Sequence, residues 1–468
     1  MRSRIFWVLP LLVPGTAFAG NTITVGPSGK MYTTPCAAIG KALPGDVIEV
    51  DAASYDGDTC AWSTDNLTVR GVGGRAKIDL TGVTPNQQKG IFTITAPNAT
   101  LENFELSGAA ISQNAGNNGA GIRHQGGSLT VRNCYFHDNQ DGILANPITD
   151  GQGAVLIEYS EFANNGAGDG LSHNMYINHY ASFTLRYSYS HGAKVGHLVK
   201  TRAWANFITY NRITDETGTT ASYEIDIPNG GTSYVIGNII EQSSTTQNPQ
   251  IVTTGEEGTS NPDQHFYFVN NTVVNDLGSG TFVNTASGTT ALIENNVFRG
   301  KGNLPAAGTT NWDDSMGDPM LVNEAAFDYH LKAGSPCIDK GTAPGTGQNN
   351  QSLAPDHDYV HPANTESRAI AGSAIDIGAY EYGNVGAPDG GRTGDGGTTN
   401  DSGASSDGGN DADGGTSGGG SGGCSCDAAG SRSDFSWVAL IGLAALARRR
   451  FTARATRGRD ARRPRRAR

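Results

Sequence analysis

The sequence has few cysteines, few charges and no long apolar run. Its 468 residues hold six cysteines, none in a CxxC pair, which excludes a structural zinc site of the usual spacing. It has no glycine-rich phosphate loop, no serine nucleophile elbow and no HExxH segment, so the chemistries those motifs carry are absent. Only 17% of residues are charged, and the formal net charge is −12. A nucleic-acid binder needs a basic face to displace counterions, and none is present. Glycine, by contrast, is abundant: 65 residues, without the strict triplet period of collagen. Together with Asn, Thr and Ser it suits turn-rich β structure, and 37% hydrophobic content over this length can fill a large core.

The two ends read as addresses. Arg2 and Arg4, an apolar run over residues 5–13 and the small-residue site Ala17-Phe18-Ala19 form a secretory signal over 1–19. The run is too short to span a membrane, so cleavage with Gly20 as first mature residue is expected. Residues 384–423 hold 16 glycines in 40 positions and read as a solvated linker. Cys424 and Cys426 follow, then an apolar stretch over 435–447 and Arg448-Arg449-Arg450. This order resembles the myxobacterial C-terminal sorting tag (residues 424–450). The resemblance implies processing near Cys424 and Cys426 by a sorting machinery, and an exported protein held at the cell surface or secreted. An ordinary single-span transmembrane anchor is the alternative. The basic tail 451–468 departs from the family, which stops soon after its arginines.

Splitting the charge sharpens the −12. Residues 21–383 carry 18 basic and 36 acidic side chains, a net of −18, and the eleven arginines and one aspartate from 448 onward mask part of it. The working domain is strongly acidic.

That domain is a repeat. Apolar-x-apolar, then Asn or Tyr, then an apolar anchor recurs around Asn103, Asn133, Tyr159, Tyr187, Tyr210, Gly237, Asn270 and Asn295. Successive copies lie 30, 26, 28, 23, 27, 33 and 25 residues apart. A period in the twenties with short alternating strands means one solenoid coil per repeat; helical solenoids need longer periods, and the leucines of leucine-rich repeats are missing. A parallel β-helix remains, with Asn residues free to stack from coil to coil. About nine coils at roughly 4.8 Å each give a rod on the order of 45 Å long.

The ends of such a rod need capping. Residues 35–43 read as a short amphipathic helix leading through Pro44-Gly45-Asp46 into the strand 47–50. This segment resembles the N-terminal cap of right-handed parallel β-helix proteins of the pectin-lyase-like superfamily. Residues 327–331, 335–339 and 376–381 resemble the closing module of the same superfamily. The expected layout is an all-β, right-handed parallel β-helix over 20–310 with a short capping helix, closed by a module over 311–383, and monomeric. Cys36 and Cys60 flank the cap and could pair in an oxidising compartment. Cys134 and Cys337 read as buried free thiols.

Titratable residues concentrate between 169 and 230. The strands there carry His173, Asn174, Tyr176 and Asn178, then His197, Lys200 and Arg202, then Glu224 and Asp226; His179, His191 and Lys194 lie in the connections. One register stacks Met175, Leu198 and Ile225 inward, with Asn174, His197 and Glu224 outward. The other stacks Ile177, Val199 and Ile225 inward, with Asn178, Lys200 and Asp226 side by side and Arg202 just beyond. The second is preferred, because the first points Lys200 into the core unpaired.

Outward ladders on a β-helix suit an extended polysaccharide, and the expected chemistry is elimination across a uronate. Lys200 would be the base, its proton loosened by His197 and Arg202; Arg202 would neutralise the intermediate. His173, Tyr176, Asn178, His191 and Lys194 would bind substrate. Glu224 and Asp226, at i and i+2, would hold Ca²⁺, or serve as the acid and base of a glycosidase. Glu256-Glu257, one coil on in a Gly-flanked loop, is a possible extra carboxylate. Against these stand a plain surface salt bridge between Lys200 and Asp226, and a non-catalytic glycan-binding or adhesin role.

Overall fold

The computed structural model describes residues 20–305 and 308–384. The expected signal, most of the linker, the tag with Cys424 and Cys426, its apolar stretch and the basic tail lie outside them. Among the described residues no helix is long and apolar enough to cross a membrane.

Each coil starts in the first sheet with a strand whose second and fourth residues point inward, as Phe183 and Leu185 do in Ser182–Arg186. The next residue turns the chain through the left-handed region. These are the repeat anchors: Asn103, Asn133, Tyr159, Tyr187, Tyr210, Asn270 and Asn295 have φ between 48° and 58°, and Gly237 has 67°. Asn and Gly reach this region at low cost; the tyrosines are held there by stacking, with Tyr159, Tyr187 and Tyr210 at 5.1 and 5.8 Å between ring centres. The chain then enters the second sheet, passes through a longer connection into the third, and returns.

The residue after each anchor faces inward, and from Asn211 onward it is an asparagine. The side-chain amides of Asn211, Asn238, Asn271 and Asn296 each donate to the next Oδ1 in line, ending on Asn311, at 3.0, 3.0, 3.0 and 2.9 Å. Each also donates to a backbone carbonyl of the preceding coil (Leu185, Ile208, Val235, Phe268). Every amide of this ladder is thereby satisfied by its neighbours, as burial requires.

The three parallel sheets have eleven, ten and nine strands. That is about ten turns where the repeat spacing predicts nine, and stacking runs on to Trp312–Asp313, slightly past residue 310. The cap helix spans Pro35–Ile39, with Thr34 accepting from the Ala37 N–H at 3.4 Å. A disulfide between Cys36 and Cys60 ties this helix to the first strand of the third sheet. Cys134 and Cys337 are buried free thiols, both pushed up to about 12 by burial.

The closing module adds two antiparallel pairs, Leu321–Asn323 with Asp328–Leu331 and His357–Val360 with Asn364–Ser367. Tyr329, Leu331, Cys337, Tyr359 and Ile377 pack on Ile239, Val274 and Val297 of the second sheet. Over the first sheet, Tyr210 donates to Asp356 and Tyr234 to the Gln348 carbonyl. The module therefore lies across the first and second sheets, and the candidate residues stand on the third.

Candidate functional site

In the third sheet, Met175–Ile177, Val199–Thr201, Ile225–Ile227 and Gln250–Thr254 stack coil on coil. Both end residues of the three-residue strands turn into the coil and the middle residue points to its outer side, where Lys200 and Asp226 are themselves covered. Those middle residues form one column: Tyr176 beside Lys200, Lys200 beside Asp226, Asp226 beside Thr253.

This combines the two registers read from the sequence. Lys200 and Asp226 are neighbours, with Nζ to Oδ2 at 3.0 Å. Asn178 is not beside them. Met175 and Ile177 both point inward, so Tyr176 takes the place next to Lys200, and Asn178 donates instead to Asn146 at 2.5 Å. The pairing of Lys200 and Asp226 is 11% and 5% exposed, a buried ion pair and not a surface salt bridge.

Arg202 lies one step further along the strand direction. Its Nε donates to the Tyr176 hydroxyl at 2.6 Å, Nη1 donates to Asn229 Oδ1, and Nη2 reaches both Glu257 oxygens at 2.9 and 2.8 Å. Glu257 Oε1 is also 3.6 Å from Lys200 Nζ. The Tyr176 ring underlies both cations, 5.4 Å from Lys200 Nζ and 5.6 Å from the Arg202 guanidinium.

A second column precedes the strands. His173 stacks on His197 at 4.4 Å, and His197 meets Tyr223 edge-on at 4.8 Å. The His197 backbone N–H donates to His173 Nδ1 at 3.0 Å, so that nitrogen carries a lone pair. His197 Nε2 stands 3.5 Å from both Lys200 Nζ and Asp226 Oδ2. Burial, reinforced by Lys200 and Arg202, lowers His173 to about 3 and pushes His197 well below the usual range. Both rings are neutral at pH 7. Burial raises the Asp226 carboxyl, against the pull of Lys200.

Three expected members stand elsewhere. His191 and Lys194 belong with the second sheet: His191 pairs with Glu161 at 3.2 Å in a chamber shared with Tyr189, Arg212 and His361, and Lys194 pairs with Asp138 at 3.1 Å. The connection between sheets intervenes, so they do not join the Lys200 column. Glu224 precedes its strand and turns into the corner of the coil. It is fully buried, neither carboxylate oxygen has a partner, and the charges acting on it are Asp215 and Glu241. Those acting on Asp226 are Lys200 and Glu257. The i, i+2 spacing does not put Glu224 and Asp226 on one face, because only Asp226 lies in strand. The pair fits neither a calcium ion nor a glycosidase acid and base, and among the described residues no three His, Cys, Asp or Glu side chains are arranged to hold a metal.

The sequence reading also missed members. Asp141 is buried under His173, accepting its backbone N–H at 2.8 Å, and Arg123 acts on it from the coil before. Arg123 is legible as an outward position in Ala120–His124, but the length of the next connection decides what it stands beside. Asn229 and Glu257 come from loops beyond the strand, and no spacing rule brings Glu257 to Arg202.

No family model matches the chain, and no curated protein is similar to it. Solved structures are. The chain resembles the pectate lyase Pel9A with TM-score 0.52 and 16% identity, over 78% of this chain and 96% of that one. Weaker likenesses run to a PL6-family alginate lyase (AlyGC), TM-score 0.37 and 16% identity over 65% and 41%, and to a pectin methylesterase bound to a hexasaccharide, 0.30 and 11% over 68% and 98%. The first of these establishes what the repeat and the sheets already describe: this chain is a parallel β-helix with the fold of a pectate lyase.

Proposed function

We propose that the outward face of the third sheet around Lys200 serves as a groove that binds a uronate-containing polysaccharide and cleaves it by β-elimination. One observation carries the reading: Arg202 and Lys200, side by side on an outward face, already hold a carboxylate, that of Glu257. A uronate brings the same group. In the elimination, a base removes the proton next to the substrate carboxylate, the bond to the leaving oxygen breaks, a ring double bond forms, and the leaving oxygen gains a proton. Arg202, planar and bidentate, neutralises charge as it builds on the carboxylate. Lys200 is the base. It acts in its neutral form, with Asp226 at 3.0 Å from Nζ as the neighbouring group that can carry the surplus proton away. The Tyr176 hydroxyl, oriented by Arg202 Nε, protonates the leaving oxygen. Glu224 and Asp226 diverge, so they would not hold a calcium ion between them. The strongly acidic body would still repel a polyuronate at long range, so capture depends on this local pair of cations. Export to the cell surface, or secretion, would place the groove where such polymers occur.

The pectate lyase among the solved neighbours fits this substrate class. The assay is a panel of polygalacturonate, alginate and neutral glycans with and without Ca²⁺, read by absorbance of unsaturated product and by reducing ends. Unsaturated product from an acidic glycan, lost in Lys200→Ala with the fold intact, is expected. Binding without product across the panel would leave the glycan-binding reading, which the resting ion pair at Lys200 favours. Reducing ends without unsaturation would make the protein a hydrolase.

A further inference from the structure

Two carboxylates bracket Lys200, and they are held very differently. Asp226 lies in a strand, 5% exposed, with Thr253 Oγ1 donating to it at 3.2 Å. Glu257 lies on a turn between Gly255 and Gly258, both at positive φ (79° and 112°), and its side chain is 51% exposed. The turn is closed by the Gly258 N–H on the Gly255 carbonyl and tethered through the Glu257 N–H to Pro228 O at 2.9 Å. Its neighbour Glu256 is hydrogen-bonded by Asn284. Asp226 is thus part of the sheet, whereas Glu257 reaches Lys200 and Arg202 on three side-chain torsions from a turn tethered beneath by its own N–H and that of Gly255.

We propose that Glu257 is a built-in stand-in for the substrate carboxylate, seated on Arg202 and Lys200 at rest and exchanged for a uronate carboxylate when the polymer binds. The inference rests on the uronate reading and makes it specific. The Arg202 side chain is 13% exposed, and its Nη2 bonds both oxygens of Glu257. Removing Glu257 without a replacement strips a buried guanidinium of a charge-assisted partner, which is costly. A ligand that brings a carboxylate restores the partner; a methyl-esterified or neutral sugar does not. The groove therefore selects for the free acid through what it must give up, a form of selection by penalty. Partial burial works against ionisation of Glu257, but Arg202 and Lys200 hold its carboxyl below the usual range, so the seat is filled at neutral pH.

The test uses the intact protein, Glu257→Ala, and Glu256→Ala as a loop control. Trigalacturonate and its methyl ester are titrated by calorimetry, and malonate is titrated against the Arg202 side-chain N–H resonances. Glu257→Ala should bind trigalacturonate about tenfold more tightly than the intact protein, and malonate should shift the Arg202 signals only in that variant. Glu256→Ala should match the intact protein in both. Equal or weaker trigalacturonate binding by Glu257→Ala, with eliminating activity present, overturns the stand-in and leaves the lyase. Malonate seated on Arg202 in Glu257→Ala, with no uronate bound or cleaved by any variant, upholds the carboxylate seat and overturns the lyase reading instead. No response of Arg202 to malonate in Glu257→Ala overturns the seat itself.

Discussion

His197 lies face to face on His173, 4.4 Å between ring centres and 20° between planes, with the backbone N–H of the one on Nδ1 of the other. Burial of the stacked rings beside Lys200 and Arg202 disfavours the charged form of either.

A pH dependence of stability follows. His173 is lowered to about 3, and His124, sealed inside the coil with Tyr180 on its Nδ1, to about 4. The unfolded chain takes up these protons near pH 6.5, the folded chain only far below, so stability falls as pH drops through that interval. Glu241 works in the opposite sense. Burial raises it to about 8, so the folded state keeps a proton that the unfolded state loses near pH 4.5, and stability falls as pH rises toward 8. Thermal unfolding from pH 3 to 10 should give a dome with its top at about pH 5–7. His173→Phe should flatten the acid limb, and Glu241→Gln the alkaline limb. A Tm still rising at pH 9 would contradict the assignment.

Arg202→Lys tests the planar fork. The charge remains, but the hydrogen bonds to Tyr176, Asn229 and both Glu257 oxygens cannot all be kept. Elimination should drop by about two orders of magnitude, most of it in kcat, with Tm unchanged within a degree or two. Steady-state kinetics on polygalacturonate and a melting curve check both halves. Full activity in Arg202→Lys would mean that a point charge suffices.

Glu224→Met should stabilise. The carboxyl group is fully buried and unpartnered, and only other carboxylates act on it. An apolar side chain of similar length removes that desolvation cost, worth about 1–3 kcal/mol. Urea unfolding at pH 7 should show a higher midpoint, and any response of activity to added Ca²⁺ should be the same as in the intact protein. A lower midpoint would mean that Glu224 serves a partner the fold depends on.

Arg368→Met should loosen the closing module. Its guanidinium is 1% exposed, between Asp358 at 3.5 Å and Glu381 at 3.1 Å, and it also donates to the carbonyls of Gly378 and Ala379. Removing one member of such a cluster leaves buried carboxylates uncompensated, at about 3–5 kcal/mol. Hydrogen exchange should quicken over 320–384 while the coils before residue 300 keep their protection.

The fold was legible in the sequence because a solenoid repeats its local conditions. A left-handed residue at Asn103 or Asn133, an inward residue after it and alternating strands around it recur from coil to coil, and each strand pairs with the strands of the neighbouring coils. The site was legible in part. Lys200 and Asp226 could be paired because each is the middle residue of a short strand. Asn178 was misplaced because the strands pair two residues further along: Tyr176, and not Asn178, stands level with Lys200. Glu224 was misread because i, i+2 implies a common face only inside a strand. Glu257 was out of reach, since its approach to Arg202 depends on the path of a loop.

The asparagine ladder has a reach beyond its own hydrogen bonds. It sits where the first sheet passes into the second, and from Asn133 to Asn296 the chain keeps one form there: one left-handed residue, one inward residue, then strand. The links on either side of the third sheet differ widely, from the short step between His137 and Asp141 to the long excursion between Ser107 and Ala120. Pitch is set on one edge of the rod and lengthening is tolerated on the other. The rod can therefore take new loops, and with them new specificities, around the Lys200 groove while its spine of amides stays in step.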